Sequence, residues 1–139
     1  MALDLSSLRK AVASLERALR VAASPGPGAP DADRAEVIRA GVIQNFEFTY
    51  ELCWKFMRRW LEINVGGPNI DGATRKELFR MAAENKLISD VERWFQYHSA
   101  RNDTVHTYDS AKASQIYSIS TPFAADAKTF LQELERRND

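Results

Sequence analysis

The chain has 139 residues, 45% hydrophobic and 27% charged, which suits one globular domain with a continuous core and argues against chain-wide disorder. Lys plus Arg equals Asp plus Glu at 19 each, so no broad positive field exists to hold a nucleic-acid backbone. Any RNA contact must then use a local patch or a shared interface. One cysteine, Cys53, excludes an intramolecular disulfide, and the amino end MALDLSSLRK carries charges too early for a signal peptide. With no run near the ~18 apolar residues of a membrane span, the sequence predicts a cytoplasmic protein with no membrane contact.

Leu3 to Ala23 predicts a first helix, because Leu5, Leu8, Val12, Leu15, Leu19 and Ala22 recur at steps of three and four. Ser24 to Pro30, SPGPGAP, cannot continue it and reads as a loop or short linker. A long second helix is expected from about Arg34 to Asn64, with Asp33 as N-cap and Val65-Gly66-Gly67-Pro68 as its stop. Ile38, Val42, Phe46, Thr49, Cys53, Phe56 and Trp60 form its apolar stripe, and Ile43, Tyr50, Trp54, Met57 and Leu61 widen it. Such width calls for neighbours on more than one side, a bundle interior plus a subunit contact.

Thr74-x-x-Glu77 and Ser89-x-x-Glu92 have the form of capping boxes. They predict a short helix over Arg75–Glu84 and another starting near Asp90, with Val91, Trp94, Phe95 and His98 facing inward. The last helical region spans about Ser110 to Arg137, with a break or kink at Thr121-Pro122, read as an N-cap and a first-turn proline. Phe123, Ala127, Phe130, Leu131 and Leu134 pack its final part. No alternating run or Asn-Gly turn signals a strand, and no repeat is present, so the periodicity predicts an all-α antiparallel bundle over residues 1–139.

The polar cluster that could do chemistry is Arg101-Asn102-Asp103-Thr104-Val105-His106-Thr107-Tyr108-Asp109. Histidine can move a proton near neutral pH, and arginine can hold a phosphate and stabilise charge developing on it. Together they suit RNA cleavage in which the ribose 2′-hydroxyl is the nucleophile and no metal is needed. On one straight helix, however, Arg101 and His106 point about 140° apart. They converge only if the helix ends or bends there, or if a second copy supplies the complement. By spacing alone the cluster is also what a polar helix end looks like, with Arg and His bonded to carbonyls or to Asp109.

Other groups read as structural. His98, His106 and a distant Cys53 are too few for a closed zinc site, so no metal is expected, and His98 reads as a satisfied structural histidine. Cys53 lies on the apolar stripe and reads as core. Glu47 and Glu51, with Lys55 and Arg58 on the same edge, read as a solvated charged face. Gly66-Gly67-Pro68 lacks the Lys-Ser/Thr of a phosphate loop, no cofactor motif is present, and no Gly-Ser pair with spaced acids would make the chain itself a nucleotidyltransferase.

Two segments taken together, Asn45-Phe46-Glu47-Phe48-Thr49-Tyr50-Glu51-Leu52-Cys53-Trp54-Lys55 and Arg101-Asn102-Asp103-Thr104-Val105-His106-Thr107-Tyr108, resemble the nucleotidyltransferase substrate-binding family of the HEPN superfamily. The resemblance covers nearly the whole chain; the proline-rich Ser24–Pro30 connection is the departure. It implies an antiparallel up-and-down four-helix bundle with a short extra helix, usually a homodimer, encoded beside a minimal nucleotidyltransferase with which it forms a complex. It further implies a toxin–antitoxin arrangement in which this subunit cleaves RNA. Carried onto this chain, Arg101 and His106 would be catalytic, Asn102 supporting, and Tyr108 the site of adenylylation by the partner. The alternative is a non-catalytic module that presents substrate to the nucleotidyltransferase.

Overall fold

The computed structural model describes residues 2–24 and 26–138, and among them every regular element is helical. The first helix, α1 (Ser6–Ala23), buries Leu8, Val12 and Leu15, while Leu19 and Ala22 are partly buried toward the loop. It starts later than the apolar repeat suggests, at Ser6 and not at Leu3. Leu3 is held instead by Asn138, whose Oδ1 accepts from Leu3 N at 2.7 Å and whose Nδ2 donates to Leu3 O at 2.9 Å. Of the Ser24–Pro30 connection, Pro25 lies outside the described residues and the rest is non-helical.

The long helix α2 (Ala32–Leu61) is capped by Asp31 rather than Asp33: Asp31 Oδ1 accepts from Asp33 N at 3.0 Å and Arg34 N at 3.2 Å. Asp33 falls in the first turn, where its charge suits the positive helix end. The chain does not stop at Val65. It widens into a π-helical turn over Glu62–Gly66, and Gly66, at φ +115°, then starts the single turn α3 (Gly67–Ile70) with Pro68 at its head. A positive φ of that size is why a glycine stands there.

The helix α4 (Arg75–Glu84) has the predicted cap: Thr74 Oγ1 accepts from Glu77 N at 3.2 Å and meets Glu77 Oε1 at 3.0 Å. Asp90, not Ser89, caps α5 (Val91–Asn102), accepting from Arg93 N at 3.2 Å. A 3-10 turn over Asp103–His106 follows, and Asp109 then caps α6 (Ser110–Arg136). The expected break at Thr121-Pro122 is absent, and α6 runs through Pro122. Thr121, Pro122 and Ser118 are all exposed, so water can serve the Ser118 carbonyl that proline leaves without a donor. Phe123, Ala124 and Ala127 keep the opposite face in the core.

Side-chain contacts fix the topology. Arg9–Glu135 and Glu16–Lys128 run α1 antiparallel to α6, and Ser14–Asn45 with Ala11–Thr49 run it antiparallel to α2. Trp94–Phe130 and Tyr97–Phe123 run α5 antiparallel to α6. Thus α1, α2, α5 and α6 form an up-and-down bundle, and α4 is the short extra helix laid on α2 and α5. Most of the wide face of α2 is buried within the chain, Ile43, Tyr50, Met57 and Leu61 packing with Leu8, Phe79, Trp94 and Phe123 in one contiguous core, while Trp54 and Trp60 stay partly exposed at its edge. Edge-to-face rings knit its centre, Phe46 on Phe123 at 4.9 Å and Trp94 on Tyr97 at 5.3 Å, each worth about 0.5–1.5 kcal/mol beyond burial. Among the described residues, no helix is long and apolar enough to cross a membrane.

Candidate functional site

The polar cluster sits where α5 ends. Thr104 closes the helix by donating from Oγ1 to Arg101 O at 2.7 Å, and Asp109 N bonds His106 O at 3.0 Å before α6 begins. Asp109 is committed to the α6 cap through Ala111 N at 2.9 Å, and Asp103 faces Lys112 Nζ at 3.5 Å. Since the chain leaves the α-helix after Asn102, the angular separation that a straight helix would impose on Arg101 and His106 does not apply.

Even so, the two side chains are held by different partners. Arg101 turns back to α2, donating from Nε to Glu51 Oε1 at 3.0 Å, and its Nη1 lies 3.4 Å from Thr104 Oγ1. His106 turns outward, with Nδ1 3.3 Å from the Tyr108 hydroxyl and the rings edge to face. Tyr108 is 85% exposed, and Asn102 and His106 are exposed too. No hydrogen bond joins Arg101 to His106 among the described residues.

Glu51 is therefore not part of a solvated charged face, as its spacing to Lys55 suggests. It accepts from Arg101 and, through Oε2, from Trp54 Nε1 at 3.0 Å. Nothing local in the sequence signals this, because the carboxylate stands fifty positions from the arginine it holds.

Below this layer lies a second polar relay. Arg75 Nη1 on α4 donates to the Tyr50 hydroxyl at 2.9 Å, and Tyr50 stands 2.7 Å from His98 Nδ1. With Arg75 donating to the Tyr50 oxygen, the Tyr50 hydroxyl hydrogen is available to His98, whose Nδ1 accepts it when the ring carries its proton on Nε2. Burial raises the Tyr50 hydroxyl to about 12 against the pull of Arg75. Burial likewise lowers His98, aided by the charges of Arg75, Lys76 and Arg101 and opposed by Glu51. His98 is thus a satisfied structural histidine. Cys53 is wholly buried, and desolvation pushes its thiol up, as expected of a core residue.

The α2 segment Asn45–Lys55 and the segment Arg101–Tyr108 thus touch through Glu51 on Arg101, and Tyr50 of the first bonds His98, three residues ahead of the second. The inner residues of the α2 segment do structural work, Asn45 and Thr49 bonding to α1 while Phe46 and Cys53 fill the core. A family model described as nucleotidyltransferase substrate binding protein like matches residues 3–136, both segments included.

The chain belongs to that family.

Relatives of this nucleotidyltransferase substrate-binding chain agree in sequence and shape. A Haemophilus influenzae protein named probable ribonuclease HepT is 36% identical over 104 residues, 74% of this chain and 71% of that protein. A solved Haemophilus influenzae structure, described as revealing the fold of a substrate binding domain of a nucleotidyltransferase, matches with a TM-score of 0.84 at 31% identity, covering 95% of this chain and 99% of that one. A crystal structure from Thermus thermophilus matches with a TM-score of 0.73 at 29% identity, covering 91% and 98%. The all-helical bundle is therefore the fold of this family.

Proposed function

We propose that this chain is the HEPN-type subunit of a pair with a minimal nucleotidyltransferase, and that it cleaves RNA without a metal under that partner's control. The observation that carries this reading is the exposed His106–Tyr108 pair, 3.3 Å apart on the turn that follows Arg101. An imidazole open to solvent can accept the proton of a ribose 2′-hydroxyl as that oxygen attacks phosphorus. The 5′-oxygen leaves, the proton is returned to it, and a 2′,3′-cyclic phosphate remains. Arg101 would bind the scissile phosphate and Asn102 would support it by hydrogen bonding. Two copies of the chain would line one cleft, and Val37 (71% exposed) and Phe48 (57%) on the outer side of α2 supply apolar surface for such a homodimer.

The same pair accounts for control. Transfer of AMP from ATP to the Tyr108 oxygen, with loss of pyrophosphate, would place bulk and negative charge within bonding distance of His106 and repel RNA. The probable-ribonuclease name of the Haemophilus influenzae relative supports the cleavage arm, and the family's substrate-binding description supports the partnership.

One observation favours a second reading, that the chain presents substrate to the nucleotidyltransferase and catalyses nothing: Arg101 is already neutralised by Glu51. The test is cleavage of mixed structured and single-stranded RNAs in chelator by protein shown by mass to be unmodified at Tyr108. Cleavage should fall by about 10²–10⁴-fold in His106→Ala. If neither protein cuts any RNA, the ribonuclease reading fails, and a complex whose nucleotide transfer requires this subunit would establish the second.

A further inference from the structure

Formal charge cancels over the whole chain but not over its surface. Several cations elsewhere face carboxylates, Arg9 with Glu135, Arg58 with Glu62, Arg93 with Asp126, Lys112 with Asp103 and Lys128 with Glu16, while others such as Lys10 and Arg17 on α1 face neither a carboxylate nor a ring among the described residues. On the side formed by α4 and its neighbours four cations cluster over two aromatic rings. The Arg75 guanidinium lies 3.7 Å from the centre of the Trp54 ring, with Lys55 Nζ 5.8 Å from the same ring. Lys76 and Arg80 both sit 5.5 Å from Phe95. Among the described residues none of these four has a carboxylate oxygen within 4.0 Å.

The distinction matters because a ring steadies a cation without cancelling its charge, whereas a carboxylate cancels it. Lys55, Lys76 and Arg80 are exposed, and Arg75, Trp54 and Phe95 are half-buried at the same surface. The patch borders the candidate site directly, since Trp54 and Arg101 share Glu51, and Arg75 and Arg101 flank His98. Its field is felt there: Arg75, Lys76 and Arg101 all disfavour a charge on His98, against Glu51 alone in favour.

We infer that Lys55, Arg75, Lys76 and Arg80, carried on Trp54 and Phe95, form a track that binds the backbone of single-stranded RNA and leads it to Arg101. Clustered cations held on aromatic rings suit a strand without fixed sequence: charge for its phosphates, and guanidinium planes such as that of Arg75 on Trp54 for its bases to stack on. The rings favour RNA over an acidic protein surface, which would need the charge alone. The inference rests on RNA being the substrate, but it concerns binding, so it can fail separately from cleavage.

The test measures anisotropy of a labelled single-stranded RNA 20-mer across a salt series, with the full chain carrying His106→Ala so that the probe survives. Reversing two exposed cations, Lys76→Glu with Arg80→Glu, should weaken binding at least about tenfold and flatten the salt slope by about 0.7 for each phosphate no longer neutralised. A matched control, Lys10→Glu with Arg17→Glu on α1, which packs against α2 and α6, should change neither beyond twofold. Circular dichroism melts check that each variant is folded, and Lys55→Gln provides a gentler variant should the double reversal melt early. Equal weakening by patch and control, or no RNA binding by the starting protein, overturns the inference. So does a reversal that spares RNA and weakens only the complex with a nucleotidyltransferase, which would make the patch a protein interface. Binding abolished on patch reversal, in a protein that never cuts RNA, would uphold the track and sink the ribonuclease reading alone.

Discussion

Arg101 donates from Nε to Glu51 Oε1 at 3.0 Å, so the guanidinium at the end of α5 is oriented by a carboxylate on α2. Both side chains keep roughly a third of their surface, 28% and 32%, so the pair contributes about 0.2–1 kcal/mol to stability. Its importance is positional. With Nε bound to Glu51 and Nη1 near Thr104, Nη2 remains to meet a phosphate oxygen.

Glu51→Gln is expected to lower kcat for RNA cleavage by about tenfold, because the guanidinium loses its charged anchor. KM should stay level or fall, since removal of a negative charge beside the site helps RNA bind. Single-turnover and steady-state kinetics separate the two effects. A rise in KM with kcat unchanged would show that Glu51 serves binding and not orientation.

Tyr108 should be dispensable for cutting and required for control. Tyr108→Phe removes the acceptor oxygen yet keeps the exposed ring, so cleavage should stay within about threefold of the parent, a scale well below the loss of a general acid or base. Incubated with a nucleotidyltransferase partner and labelled ATP, the variant should take up no label. Labelling at full level in Tyr108→Phe would move the modified residue elsewhere.

The relay from Arg75 through Tyr50 to His98 makes stability depend on pH. Burial first, then Arg75, Lys76 and Arg101, hold the folded His98 below the usual 6.5, so between its folded pKa and 6.5 the unfolded chain binds more protons. This contribution is intact above 6.5 and is lost as pH falls through that window. The melting temperature should therefore drop as pH falls below 6.5, and drop less in His98→Asn, which keeps an acceptor without titrating. Tyr50→Phe should cost about 1–3 kcal/mol at neutral pH, because Arg75 and His98 each lose a partner. An identical pH slope in His98→Asn would remove His98 from the account.

Pro122 stands inside α6, exposed along with Thr121 and Ser118, where proline is about 3 kcal/mol worse than alanine as a helix residue. Pro122→Ala should raise stability by about 1–3 kcal/mol, the lower end reflecting the stiffness proline gives the unfolded chain. Thermal or urea unfolding measures it. A loss of stability would mean that α6 needs the shape proline gives it in order to pack.

Periodicity alone carried the helices, because apolar residues must recur every three or four positions to share a buried face. Leu8, Val12, Phe46, Cys53, Trp94 and Phe130 are all where that pattern puts them. Caps were legible when one side chain competed, as at Thr74, and ambiguous where two stood near each other. Asp31 was chosen over Asp33, and Asp90 over Ser89, by a shift of one or two residues that no spacing rule resolves. The Pro122 break was misread because proline's penalty depends on whether water reaches the carbonyl four residues back, which is a property of the packed helix.

The candidate site divides in the same way. Its residues, Arg101, Asn102, His106 and Tyr108, stand within eight positions of one another, and the chemistry of their side chains is written in the sequence. What holds them is not. Glu51 reaches Arg101, Arg75 reaches Tyr50 and Trp54, and Lys76 reaches Phe95 only once α2, α4 and α5 pack together. A sequence with balanced charge cannot say which cations end up over rings and which over carboxylates, because partners far apart along the chain are chosen by helix packing. The sequence by itself determined which helices form and which groups could react; tertiary structure alone decided which charges are cancelled and which stay free to meet a ligand.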